Sequence, residues 1–184
     1  NPLLPDWEED LRRCHEEYRM PGIRLHPNYQ GYSLDHPAFL RLLAMAAERK
    51  LLVQIVAWME DERIQHPLLR VAMVDLTRLA PAVAQAPGSR VVVLNGFISV
   101  RLGQRALNGL AKFDQVVFDL AMQEQLIGLK VLIDAVGLDR VVFGSYSPMF
   151  YFEAAALKLR ESDLTAAQAE AVLSGNARRL LPAG

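Results

Sequence analysis

The sequence has 184 residues, of which 52% are hydrophobic and 22% charged, and its formal net charge is −1. That is enough chain for one domain with a sizeable core, and the composition excludes a disordered polymer. The near-neutral charge gives no electrostatic basis for a nucleic-acid or anionic-membrane partner, and a single cysteine, Cys14, excludes an intrachain disulfide and a cysteine-built zinc cage.

A reducing cytoplasm is therefore the expected compartment. No apolar run approaches the ~20 residues that span a bilayer. The opening NPLLPDWEED lacks an initiator Met and the basic-then-apolar order of a secretory signal, so a processed or partial chain is expected.

Elements alternate along the chain. Trp7, Leu11, Cys14 and Tyr18 recur at helical spacing, with Asp6 as the expected N-cap and Pro21–Gly22 as the stop. GIRLH reads as a strand, and PNYQGYSLD as a turn-rich loop. Pro37 is expected at a first helical position, opening AFLRLLAMAAERK. LLVQIVAW is an apolar run with one polar break. A helix over Asp75–Gln85 is expected to end or kink at Pro81. Then come RVVVLN as strand, VRLGQRALNGLAKF as helix, QVVFDLA as strand, QEQLIGLKVLIDAVG as helix and RVVFGS as the last strand. A helical C-terminal third follows, with Asp163 or Thr165 before TAAQAEAVL and a short turn at NARRLL.

The five β-rich runs lie near residues 22–26, 52–57, 90–95, 115–120 and 140–145. They are rich in Val, Ile, Leu and Phe with little alternation, as for strands covered on both faces. The βαβα order implies a parallel sheet, either a (β/α) barrel or an open doubly wound sheet. Neither GxGxxG nor GxxxxGK[ST] occurs, which argues against a dinucleotide-binding or P-loop enzyme. HxH, HExxH and the GxSxG elbow are also missing.

Ligands of parallel sheets bind at the carboxyl ends of the strands. Polar residues stand at or near each such end: His26; Gln54 with Arg63 and His66 beyond it; Asn95; Asp119; and Ser145 with Tyr146. Each also has a structural reading. His26 could cap its strand, Gln54 could be a satisfied core amide, and MEDER could be a solvated loop holding Glu60 and Glu62. His15 and His36 read as surface or capping residues, and the aromatic run at 150–152 as packing.

RVVFGSYSP and LTAAQAEAVLSGNARRLL together resemble the amidohydrolase-related family, the TIM-barrel metal-dependent hydrolases and decarboxylases. GIRLHPNY, LLVQIVAW, RVVVLNG and VVFDLA then resemble its fourth to seventh strands, and NPLLPDWEEDLRR the segment after its third. The resemblance implies an α/β, TIM-barrel-type fold, here an incomplete barrel of about five strands. Residues 1–184 would form one domain, the C-terminal part of a longer barrel. The family's HxH strand has no counterpart. Where the family places a metal-binding His, a second His and an Asp, this chain has Val56, Asn95 and Tyr146.

The resemblance thus implies a hydrolase or related lyase acting on a small, carboxylated molecule through a divergent active site. His26, Asp119 and Tyr146 are its candidate catalytic residues; Gln54, Arg63, His66 and Asn95 are its candidate substrate contacts. A zinc or other divalent ion is implied only if upstream ligands join His26. The alternative is a non-catalytic protein that binds a small ligand or a partner. An incomplete barrel leaves apolar edges, so a homo-oligomer or pairing with an upstream segment is expected.

Overall fold

The computed structural model describes residues 1–60, 63, 65–96, 103–123 and 127–181. Asp61 and Glu62 of the MEDER run lie outside the described residues, as do residues 100–102 and 124–126 of two expected helices.

Five parallel strands form one sheet in chain order: β1 (Gly22–Leu25), β2 (Leu52–Val56), β3 (Arg90–Leu94), β4 (Val116–Asp119) and β5 (Val141–Val142). This order decides between the two architectures. A doubly wound sheet reverses its strand order at a switch point. Here every neighbour is consecutive, with Arg24 opposite Gln54, Gln54 opposite Val92 and Val93 opposite Phe118. The strands form an unclosed arc of a (β/α) barrel among the described residues.

Helices α1 (Trp7–Glu16) and α2 (Pro27–Gln30) flank β1, and α3 (Pro37–Glu48) leads into β2. Helices α4 (Leu79–Gln85), α5 (Gly103–Leu110) and α6 (Gly128–Val136) precede β3, β4 and β5. After β5 come α7 (Phe152–Glu161), α8 (Ala166–Glu170) and α9 (Asn176–Leu180), the last two joined by a π-helical turn over Ala171–Gly175.

The local signals explain most boundaries. Pro37 sits in the first turn of α3, and the His36 ring Nδ1 accepts from Ala38 N–H, so His36 is the cap. Thr165 caps α8 in a reciprocal box with Gln168. Pro81 falls in the first turn of α4, where a missing N–H breaks no helical bond; a 3₁₀ turn over Leu76–Arg78 feeds into it.

Three expectations need correcting. Asp6 has φ of 48° and makes no side-chain cap bond to α1. The stretch after β1 holds the short helix α2, because Pro27 presets a helical φ and Gly31 closes the turn at φ 78°. The last strand is shorter than 140–145: the Phe143 N–H donates to Val172 O of the π turn at 2.8 Å.

The sheet has two different faces. Val53, Ile55, Val91, Val93, Val116 and Phe118 pack with Phe39, Leu43, Leu79, Leu110 and Leu132 into the main core. Each fully buried Val, Leu or Phe there stabilises the fold by about 1.5–3 kcal/mol. On the other face, Leu52, Val92, Val117 and Val142 form a small cluster with Leu94 of β3 and with Ala177 and Leu180 of the C-terminal tail. The lower part of the concave face is therefore closed by α9, and the upper part is polar.

Two buried polar side chains lock the lower end. The Arg140 guanidinium donates to the carbonyls of Val116, Ala111 and Leu110, which end β4's approach and α5. The Asn176 amide donates to Leu138 O at 2.7 Å and Val141 O at 2.6 Å. The Gly-Asn-Ala motif thus ties the terminal helix to the start of β5.

Candidate functional site

Side chains at i and i+2 of a strand share a face. Gly22, Arg24 and then His26 follow one side of β1, and Leu52, Gln54 and Val56 the matching side of β2. Val117 and Asp119 continue it on β4. This is the concave face, and its carboxyl-terminal rim carries the candidate site.

Hydrogen bonds join the strand ends. Asp119 Oδ1 accepts from Asn95 N–H at 2.9 Å, and the Asn95 side-chain amide donates to Trp58 O at 2.9 Å. The Tyr146 hydroxyl donates to Met59 O at 2.9 Å. The His26 ring Nδ1 lies 3.2 Å from Met59 Sδ. The Trp58–Met59 segment after β2 thus meets residues from the ends of β1, β3 and β5, while Asn95 links β3 to β4. These contacts link the ends of β1, β3, β4 and β5 through Trp58 and Met59.

Asp119 is the most perturbed group there. It is 4% exposed, and burial pushes its carboxyl up to about 7 against the backbone N–H bonds of Asn95 and Ala121 and the charges of Lys158 and Arg24. Gly144 permits this burial: a Cβ there would come 2.6 Å from Asp119 Oδ2 and 2.8 Å from its Cβ. Lys158 reaches over from α7 to donate to Ala121 O at 2.6 Å.

His26 is perturbed the other way. Burial and the nearby Arg24 charge lower its pKa, so the neutral ring is favoured at neutral pH. A thioether only accepts hydrogen bonds. The Met59 contact is therefore a hydrogen bond when Nδ1 carries the proton, which leaves Nε2 with a lone pair. Tyr146 is held in its neutral form, its pKa raised by burial and by Tyr29 and Glu60. Asn95 and Tyr146 both adopt left-handed backbone, φ 55° and 54°. Such strain costs of order 1–3 kcal/mol at non-glycine residues and gathers at functional sites.

The other candidates lie differently. Gln54 is half-buried on the concave face, and its Oε1 accepts from Arg24 Nε at 2.8 Å. Arg63 and His66 are exposed on the loop after β2, and His66 Nδ1 accepts from Leu68 N–H within its own turn. Val56 is buried and apolar, with no atom to bind a metal. A separate cleft of about 380 Å³ runs between Asn28–Leu34 and Arg70–Asp75, beside the rim.

Sequence reasoning did not single out Arg24, Met59, Gly144 or Lys158. For Arg24 the signal was the alternation Gly22, Arg24, His26, which becomes readable once β1 and β2 are known to pair in register. Met59 acts through a thioether and a carbonyl, which have no sequence signature.

No group of three or more His, Cys, Asp or Glu among the described residues could hold a metal ion. Asp119 has one oxygen on Asn95 N–H and the other against Gly144, the setting of a buried hydrogen-bonded acid. The described donors do not fit a resident divalent ion. No described helix is long and apolar enough to cross a membrane.

Comparison with solved structures shows the fold. A 5-carboxyvanillate decarboxylase from Sphingomonas paucimobilis superposes with a TM-score of 0.74 at 14% identity, covering 94% of this chain and 62% of that one. A dihydroxybenzoic acid decarboxylase from Polaromonas, solved with bound manganese and 2-nitroresorcinol, gives 0.69 at 14% identity, over 94% and 64%. A putative 2-pyrone-4,6-dicarboxylic acid hydrolase from Pseudomonas putida gives 0.65 at 18% identity, over 92% and 66%. The chain spans less than two thirds of the length of these proteins. A search of curated protein sequences found no match. The amidohydrolase family pattern matches residues 4–183, nearly the whole sequence, and the chain belongs to that family.

Proposed function

We propose that this protein is a hydrolase or carbon–carbon lyase that acts on a small carboxylated molecule at the rim of the barrel arc. The observation that carries this reading is that a neutral-favoured His26 and a buried Asp119 whose pKa is about 7 stand at two strand ends linked through Trp58–Met59 and Asn95. A neutral imidazole that can accept a proton and a carboxyl held protonated up to about pH 7 suit proton transfer to and from a reacting centre. The solved relatives are named for carboxylic acids, namely 5-carboxyvanillate, dihydroxybenzoic acid and 2-pyrone-4,6-dicarboxylic acid, which supports the substrate class.

In this reading His26 Nε2 takes or returns the proton at the reacting atom. Asp119 supplies the complementary proton, and Asn95 N–H positions its carboxyl. The Gln54 amide NH₂ orients a substrate carbonyl. Tyr146 donates to an oxyanion after leaving Met59 O. Arg63 and His66 draw the anionic substrate to the rim. The barrel is completed by an upstream segment or a second copy of the chain. A divalent ion enters only if that segment supplies ligands.

The test is turnover of aromatic mono- and dicarboxylates by the full-length protein, followed by loss of absorbance and release of carbon dioxide. Turnover abolished by Asp119→Asn supports the reading; no turnover of any member refutes it.

A second reading is a non-catalytic binding protein. It is favoured by Val56, Asn95 and Tyr146 standing where the family resemblance implies a metal-binding His, a second His and an acid. It predicts ligand-dependent thermal stabilisation with no product.

A further inference from the structure

We propose that Arg24 and Gln54 form the anion-recognition pair of the concave face, taking the carboxylate of a small planar acid end-on through the two terminal guanidinium nitrogens. The inference rests on the reading that this cleft accepts a carboxylated ligand, and it names the group that holds the carboxylate.

Arg24 lies mid-strand, opposite Gln54 in the β1–β2 register. Its concave-face neighbours below are apolar: Leu52, Val92 and Val117. Arg24 itself is exposed, so its guanidinium is solvated and accessible to a ligand on that face. No carboxylate among the described residues forms an ion pair with Arg24. Its hydrogen bond runs from Nε to Gln54 Oε1 at 2.8 Å. Asp119 feels the Arg24 charge but keeps its carboxyl bonded to Asn95 N–H.

That single bond has a chemical consequence. With Nε held, the guanidinium plane is fixed, and its two terminal nitrogens remain for an acceptor. A fork of parallel N–H groups matches the two oxygens of one carboxylate. The Gln54 NH₂ adds a donor on the same cross-strand pair. This donor set is planar and small. A phosphate is better met by a glycine-rich loop or a helix N-terminus, and the chain has no such loop after a strand. His26 follows Arg24 by two residues on the same side of β1, so a carboxylate seated here brings the rest of the molecule to the rim.

The probe is benzoate, with benzamide as its neutral isostere and inorganic phosphate as the other anion. Binding to the full-length protein is measured by calorimetry for wild type, Arg24→Gln, Arg24→Lys and Gln54→Leu, with near-UV circular dichroism to check the fold. The wild type is expected to prefer benzoate to both other probes. Arg24→Gln weakens benzoate binding by about ten- to hundredfold and leaves benzamide unchanged. Arg24→Lys recovers only part, because one ammonium cannot form the fork. Gln54→Leu weakens benzoate less.

Equal benzoate binding by wild type and a folded Arg24→Gln overturns the proposal, as does a wild type that ignores benzoate or prefers phosphate. Should Arg24→Gln lose its fold, Arg24→Lys decides: a reduced benzoate preference supports the pair, and an unchanged one overturns it. Turnover is read separately. Carboxylate recognition lost in Arg24→Gln, with no turnover by wild type, keeps the pair and refutes the enzyme. Turnover with an unchanged KM in Arg24→Gln does the reverse.

Discussion

Replacing Asp119 by Asn removes a buried charge and keeps the shape. Asn Oδ1 can still accept from Asn95 N–H, so that donor keeps its partner. The carboxyl sits at about 7 in the fold against an ordinary 3.8. One pKa step is about 1.4 kcal/mol, so ionising Asp119 in place costs about 4 kcal/mol of stability. The sign follows from proton counting. Between the two values the folded state holds the proton and the unfolded state has lost it. Stability from this group is full below the unfolded value and is lost as pH rises through about 7.

Urea unfolding of wild type and Asp119→Asn at about pH 4.5 and about pH 8 isolates the effect, because other titrations cancel between the proteins. The wild type should lose about 3 kcal/mol more than the variant over that range. Parallel stability profiles would show that Asp119 ionises freely and would remove the acid from the proposed site.

Other outcomes follow from the same geometry. Gly144→Ala should cost about 1–3 kcal/mol in a urea melt, because the new methyl meets the Asp119 carboxyl and one of the two must move. Tyr146→Phe should cost only about 0.5–1.5 kcal/mol in thermal stability for the bond to Met59 O, yet lower kcat well beyond that if the hydroxyl meets the substrate oxyanion. Asn176→Ala should cost about 1–3 kcal/mol, since it strands the Leu138 and Val141 carbonyls, and near-UV signals should show the tail loosening first.

The strands were legible because their Val- and Ile-rich runs can be satisfied only between two covering layers. The barrel was not, since spacing alone admits a doubly wound sheet; the consecutive pairing from β1 to β5 decides it. Helix α2 was hidden by residues that suit turns equally well, and the early end of β5 depends on Val172, far along the chain. At the site, residue type at strand ends pointed to His26, Asn95, Asp119 and Tyr146. It could not show that Asn95 positions Asp119, or that Tyr146 is tied to Met59. His66 drew notice by type, yet its ring caps its own loop. Arg24 went unchosen because its meaning depends on the cross-strand partner, Gln54. The Asn of Gly-Asn-Ala reads as a family mark in sequence and as a backbone clasp in the fold.

Proton transfer on a carboxylated substrate at the rim holding His26 and Asp119 is the step on which the proposed function stands. Its most direct measurement is the turnover of aromatic carboxylates by full-length wild type and His26→Ala, with near-UV circular dichroism on both. The account predicts turnover by the wild type and a fall of about a hundredfold or more in His26→Ala with the fold intact. Equal turnover by the two proteins would remove His26 from the chemistry and contradict the account.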